Sequence, residues 1–107
     1  MLKACRADEV EIDDTYQAVF DDRPPIAIYN VGGTFYATDD TCTHGDASLA
    51  DGLLEGCAIE CPFHAGTFDV RTGKALTRPC VEPVRAYPVK VEDGVIYVLV
   101  DESLPVE

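Results

Sequence analysis

Apolar and polar residues alternate in short runs along this chain, and nowhere does a helical period last three turns. A two-residue period is the mark of a strand with one buried face. "YQAVF" (16–20), "IAIYNV" (26–31), "TFYAT" (34–38), "CAIEC" (57–61), "GTFDV" (66–70), "YPVKVE" (87–92) and "VIYVLV" (95–100) each read as a strand. Turn-forming residues separate them: Asp21-Asp22 with Pro24-Pro25, Asn30 to Gly33, Thr72-Gly73 and Asp93-Gly94. Two hairpins are predicted, one around Gly32-Gly33 and one around Asp93-Gly94, the latter pair supplying the positive φ angles of a two-residue turn. Residues 6–11 (RADEVE) make one helical turn at most. The pattern predicts an all-β protein, a small antiparallel sandwich or barrel. Residues 40–78 hold the least regular sequence and read as loops inserted on that scaffold, which is where function concentrates.

Length and charge narrow the picture. A chain of 107 residues, 47% of them hydrophobic, is one globular domain over 1–107. No 18-residue apolar run is present, so no membrane-spanning helix is expected. The start, MLKACRADEVEIDD, turns acidic at once and has no apolar core of a signal peptide, which predicts an untargeted cytoplasmic protein. A net charge of −12 argues against nucleic acid and against an anionic membrane surface. No Lys or Arg occurs between Arg23 and Arg71, whereas that stretch holds Asp39, Asp40, Asp46, Asp51, Glu55, Glu60 and Asp69. These carboxylates are either a solvated surface or an acidic collar that steers a basic partner.

The five cysteines do not suggest a disulfide scaffold, because the count is odd and the context is not secretory. Cys5, Cys57 and Cys80 are expected to behave as small buried hydrophobes. Along a strand Cys57, Ile59 and Cys61 would share one face. The other two cysteines stand beside the only two histidines of the chain. Cys42 and His44 form C-x-H, Cys61 and His64 form C-x-x-H, and sixteen residues separate the pairs. Thiolate with imidazole suits zinc or iron–sulfur chemistry. A structural Cys2His2 zinc site is one reading. Zinc fingers, however, usually pair cysteine with cysteine and histidine with histidine, whereas each loop here offers one of each. That arrangement suits a two-iron cluster in which one iron takes two thiolates and the other two imidazoles.

The surroundings, "CTHGDASLADG" and "LEGCAIECPFHAGTFDVRTGKA", resemble the Rieske [2Fe–2S] signature. Over about residues 26–100 the chain is similar to the small Rieske ferredoxin of bacterial aromatic-ring-hydroxylating dioxygenases. The resemblance implies an antiparallel β base carrying an inserted cluster-binding subdomain of two ligand loops, about 40–78. It implies one [2Fe–2S] cluster, with Cys42 and Cys61 on the buried iron and His44 and His64 on the outer one. Gly45 and Gly66 would let backbone N–H groups approach the cluster sulfurs, or are ordinary turn glycines. Pro62 would stiffen the second loop. Phe63 and Phe68 would shield the thiolate-bound iron, or are simply core.

Rieske proteins of respiratory and photosynthetic complexes carry a further cysteine in each ligand loop; Ala47 and Phe63 stand there instead. Those proteins also place serine and tyrosine hydroxyls on the cluster sulfurs, where this chain has Gly66 and Phe68. Without those donors, and among carboxylates, reduction to a more negative cluster is disfavoured. The potential is expected at the lower end of the Rieske range of roughly −150 to +300 mV. The resemblance therefore implies a soluble, monomeric one-electron carrier and not an enzyme. Its partners would be a flavin-dependent ferredoxin reductase oxidising NAD(P)H and a terminal Rieske oxygenase. The small subunit of a nitrite-reductase-type enzyme is the alternative in the same fold, and a zinc-stabilised interaction module is a third reading.

Overall fold

A computed structural model describes residues 2–43, 47–63, 66–78 and 82–100. Its elements are strands, joined by two single 3-10 turns, in three antiparallel sheets. The first sheet has the order β1-β10-β9, from β1 (Leu2–Arg6), β9 (Val89–Glu92) and β10 (Val95–Val98). The second has the order β2-β3-β4-β8, from β2 (Asp14–Ala18), β3 (Ile26–Val31), β4 (Thr34–Asp39) and β8 (Ala86–Tyr87). The third has the order β5-β6-β7, from β5 (Leu53–Glu55), β6 (Ala58–Glu60) and β7 (Thr67–Asp69).

Both predicted hairpins form where the turn chemistry puts them. Gly32 and Gly33 have φ of 58° and 98°, and the register closes Val31 against Thr34. Asp93 and Gly94 have φ of 53° and 76°, closing Glu92 against Val95. Positive φ at both central residues matches the right-handed twist of the flanking strands. The single turn expected near residues 6–11 is a 3-10 turn at Ala7–Glu9, where the Glu9 carboxylate accepts the Arg6 N–H at 2.8 Å.

Two expectations are corrected. Residues 87–92 are not one strand: the chain changes sheets at Pro88, leaving β8 on β4 and β9 on β10. Proline has no N–H to give to a ladder, so a strand run breaks there at little cost. The region 40–78 is more than loops, since it contains the whole β5-β6-β7 sheet.

The central strand explains how the fold presents the site. β3, IAIYNV, is buried on both faces, as a near-continuous apolar run should be. Ile26 and Ile28 face a core with Cys5, Val10, Ala18, Ala37, Tyr87, Ile96 and Val98. Ala27 and Tyr29 face the opposite way, into a core with Cys42, Ala47, Leu49, Ile59, Cys61, Phe68, Val70 and Val84. Each fully buried large apolar side chain contributes roughly 1.5–3 kcal/mol, so both cores hold β3 firmly. The Tyr29 hydroxyl shares a hydrogen bond of 2.8 Å with Thr38 Oγ1, and burial pushes it well above the ordinary tyrosine range. Cys5 is buried as expected, and burial, helped by Glu9, raises its thiol to about 11.

Candidate metal centre

Cys42 and Cys61 lie on one core, the one beneath Tyr29, and are 2% and 1% exposed. Each opens a loop that closes in the same way. The Cys42 N–H donates to Ala47 O at 2.9 Å, and the Cys61 N–H donates to Gly66 O at 2.8 Å. Both loops therefore run from residue i to i+5, and each carries its histidine in between. His44, Gly45 and Asp46 of the first loop, and His64 and Ala65 of the second, lie outside the described residues, as does Cys80.

The first loop is held from below by Asp40. Its carboxylate is buried and accepts Gln17 Nε2 at 2.8 Å, Ser48 Oγ at 2.6 Å and the Ala50 N–H at 2.9 Å. Its carbonyl accepts the Leu49 N–H at 2.7 Å, and Thr41 bridges to Ser48 just above it. Thr43 Oγ1 donates to Glu82 O at 2.8 Å, fixing the loop's outer side. The second loop joins β6 to β7, where Glu60 pairs with Thr67 and Ile59 with Phe68. Gly52 lets these parts close on one another: a Cβ there would stand 1.9 Å from Glu60 O.

Phe68 is buried beside both cysteines, in agreement with a shielding or core role. Phe63 is not a shield. It is 71% exposed at the tip of the second loop, next to exposed Pro62. Cys57, Ile59 and Cys61 do share a face, and Cys57 packs partly buried against the same core. The acidic stretch divides in two. Asp40 is buried, and Asp39 accepts the Tyr87 hydroxyl at 2.5 Å and pairs with Arg23 at 3.8 Å, so neither belongs to an outer collar. Asp69 is engaged by Arg71, whose hydrogen bond holds its carboxyl below the usual range. Asp51 and Glu60 instead line an open recess of about 430 Å³ with Gly52, Leu53, Cys61, Pro62 and Phe63. Asp40 and Gly52 are not singled out in the sequence: Asp40 stands among the carboxylates of the acidic stretch, and nothing local marks Gly52 as a point of close backbone approach.

Two buried thiol-bearing residues on one core, at the mouths of matching loops, form a donor set fit for a metal cluster. The family described as "Rieske [2Fe-2S] domain" matches residues 1–88. The chain belongs to the Rieske [2Fe–2S] family. Ferredoxin CarAc of Metapseudomonas resinovorans is 45% identical to this Rieske protein over 97 residues, 91% of each chain. The 3-phenylpropionate/cinnamic acid dioxygenase ferredoxin subunit of Escherichia coli strain K12 is 50% identical over 86 residues, 79% of this chain and 81% of its own. Among solved structures, the complex of reduced oxygenase and oxidized ferredoxin in carbazole 1,9a-dioxygenase contains a similar chain. It matches with a TM-score of 0.86 at 45% identity, over 91% of this chain and 90% of that one. The antiparallel Rieske fold read from the sequence is thus borne out. The cofactor of this Rieske ferredoxin is a [2Fe–2S] cluster, and the protein is an electron carrier, not itself an enzyme.

Proposed function

We propose that this Rieske ferredoxin passes single electrons from a flavin-dependent NAD(P)H reductase to the Rieske centre of a terminal ring-hydroxylating oxygenase. The observation that carries the reading is the matched pair of cysteine loops on one core, each with a histidine in its sequence. Cys42 and Cys61 hold the inner iron, and His44 and His64 hold the outer iron. The bound cluster supplies one-electron exchange at low potential. The chain's own residues do the rest. Phe68 and Ile59 keep water from the cysteine side, and the two histidine-bearing loops present the opposite side to a partner. The chain acts as a cytoplasmic monomer of a single domain, with residues 40–78 as its cluster-binding part. The alternative, a small subunit of a nitrite-reductase-type enzyme, has less support, because both Cys–His pairs are present and the relatives above are ferredoxin components.

Partners meet the molecule at the recess beside Cys61, where Asp51 and Glu60 offer charge and Leu53, Pro62 and Phe63 offer apolar contact. Long-range attraction to a basic partner is screened over about 8–10 Å at physiological salt. Reduction by the partner reductase, followed by stopped flow, should therefore slow about tenfold as ionic strength rises from low to physiological values. Asp51→Asn with Glu60→Gln should flatten that dependence. A rate indifferent to salt would assign docking to the apolar residues alone.

Phe68 also bears on the potential. It stands in the core with both cysteines and brings no hydroxyl. Phe68→Tyr is expected to raise the midpoint potential if its hydroxyl donates to a cysteine sulfur, since such a bond strengthens when the acceptor gains charge. Only the difference between redox states counts, so the rise should stay below roughly 60 mV. An EPR-monitored titration measures it. An unchanged potential, with the hydroxyl seen at the sulfur, would refute this account of the low potential.

A further inference from the structure

We propose that Asp40 is a positioning residue whose buried negative charge holds the cluster's potential down while its oxygens hold the Cys42 loop in shape. The proposal rests on the reading that Cys42 is a ligand. Asp40 is 2% exposed, and its two carboxylate oxygens receive three donors: Gln17 Nε2 and Ser48 Oγ on Oδ2, and the Ala50 N–H on Oδ1. All three are neutral. The ion pairs among the described residues are Arg6–Asp8, Arg23–Asp39, Arg71–Asp69 and Lys90–Glu92, and none includes Asp40.

A buried carboxylate that has no cation beside it among the described residues is an expensive group to keep. Part of its role is geometric. Through its side chain and its carbonyl it ties the start of the loop, residues 40–42, to the return at 48–50 and to β2 through Gln17. An asparagine could not replace it fully, because one of the three donors would then face an N–H. The charge has a second consequence. It lies two positions before Cys42, with only Thr41 between, so the two Cα atoms are within about 7.6 Å of one another. Neutral donors stabilise a carboxylate but do not cancel its charge. An electron arriving at the cysteine side adds negative charge near a fixed negative charge in a medium less polar than water, and the reduced state is disfavoured.

Charge and geometry make opposite predictions for two variants. Asp40→Asn removes the charge, and the midpoint potential of the cluster-loaded protein should rise, with about a tenfold shift in the reduction equilibrium, or about 59 mV for one electron. Ser48→Ala keeps the charge but removes one of its donors, so the carboxylate is felt more strongly and the potential should fall, by about a twofold shift. A purely structural Asp40 would loosen the loop in both variants and move both potentials the same way, which would overturn the proposal. So would an unchanged potential in Asp40→Asn. The EPR g-values, expected to stay close to those of the parent, report whether the ligand geometry survives. If Asp40→Asn takes up no cluster, Ser48→Ala decides alone: a fall supports the proposal, and a rise or no change refutes it. A parent protein without a Rieske signal would instead refute the cluster assignment itself, so the two failures are separable.

Discussion

Replacing His64 with alanine is expected to abolish the Rieske spectrum. One of the four proposed protein ligands is an imidazole from this residue, and alanine offers no donor in its place. The outer iron would then have one imidazole left to hold it, and the cluster should either fail to assemble or be lost on purification. Iron per protein should fall to near zero, and the EPR signal of the dithionite-reduced protein should vanish together with the visible absorbance. His44→Ala should do the same. Phe63→Ala is the control, because Phe63 lies in the same loop and is 71% exposed. It should leave the spectrum intact while altering docking. A His64→Ala protein with the parent's EPR signal would show that the ligand assignment is wrong.

Gly52→Ala is expected to be among the most damaging single-methyl additions in the molecule. The φ at Gly52 is −83°, so no left-handed conformation is at stake. The damage comes from space: the new Cβ would sit 1.9 Å from Glu60 O and 3.1 Å from Leu49 O. Both are backbone atoms, held by the pairing of Leu53 with Glu60 and by the Gly52 N–H to Leu49 O bond at 2.9 Å. Neither can swing aside as a side chain would. Relief requires β6 to move, and Cys61 follows Glu60 directly. Overpacking of this kind costs about 3 kcal/mol or more, which lowers Tm by roughly 12–20 °C in a domain of this size. Cluster content should fall as well, since the cysteine moves with the strand. Gly94→Ala provides the comparison. Its Cβ would meet nothing within 4 Å, and only the positive φ of 76° opposes it. A loss of about 1 kcal/mol is expected there. Thermal unfolding followed by circular dichroism, beside iron content, checks both; equal effects at the two glycines would refute the packing argument.

The comparison of these positions shows what kind of information a sequence displays. The two hairpins were legible because their turns are local: Gly32-Gly33 and Asp93-Gly94 carry the required φ angles within the two residues themselves. The Cys–His pairs were legible because their donor chemistry is rare at that spacing. Non-local facts were hidden. β1 looks unremarkable as LKACR and is a strand only because it pairs with β10 across almost the whole chain, Leu2 opposite Val98. β5 is three residues long and is defined by its partner β6. Asp40 looked like one more acid in a run of them. Its burial depends on Gln17, Ser48 and Ala50, which are 23, 8 and 10 residues away. Phe63 differs for the opposite reason: aromatic character suggests a core, whereas in the loop after Pro62 the side chain is mostly exposed.

The pairing of β1 with β10 also sets the order in which the molecule can be built. A chain synthesised from its N-terminus completes β5-β6-β7 once residues up to about 77 have emerged, because those strands are hairpin neighbours. β1 must wait for Val95–Val98 before it finds its partner, a delay of about 5–18 s at roughly 5–20 residues per second. During that interval β1 is an open edge, the kind that adds to strands of other chains. Lys3 and Arg6 within it, and the acidic residues Asp8, Glu9 and Glu11 just after it, are charges of the kind that discourage edge-to-edge pairing. The sheet that leads into Cys61 therefore forms from strands close in sequence, whereas the β1–β10 pairing needs the two far ends of the described chain together.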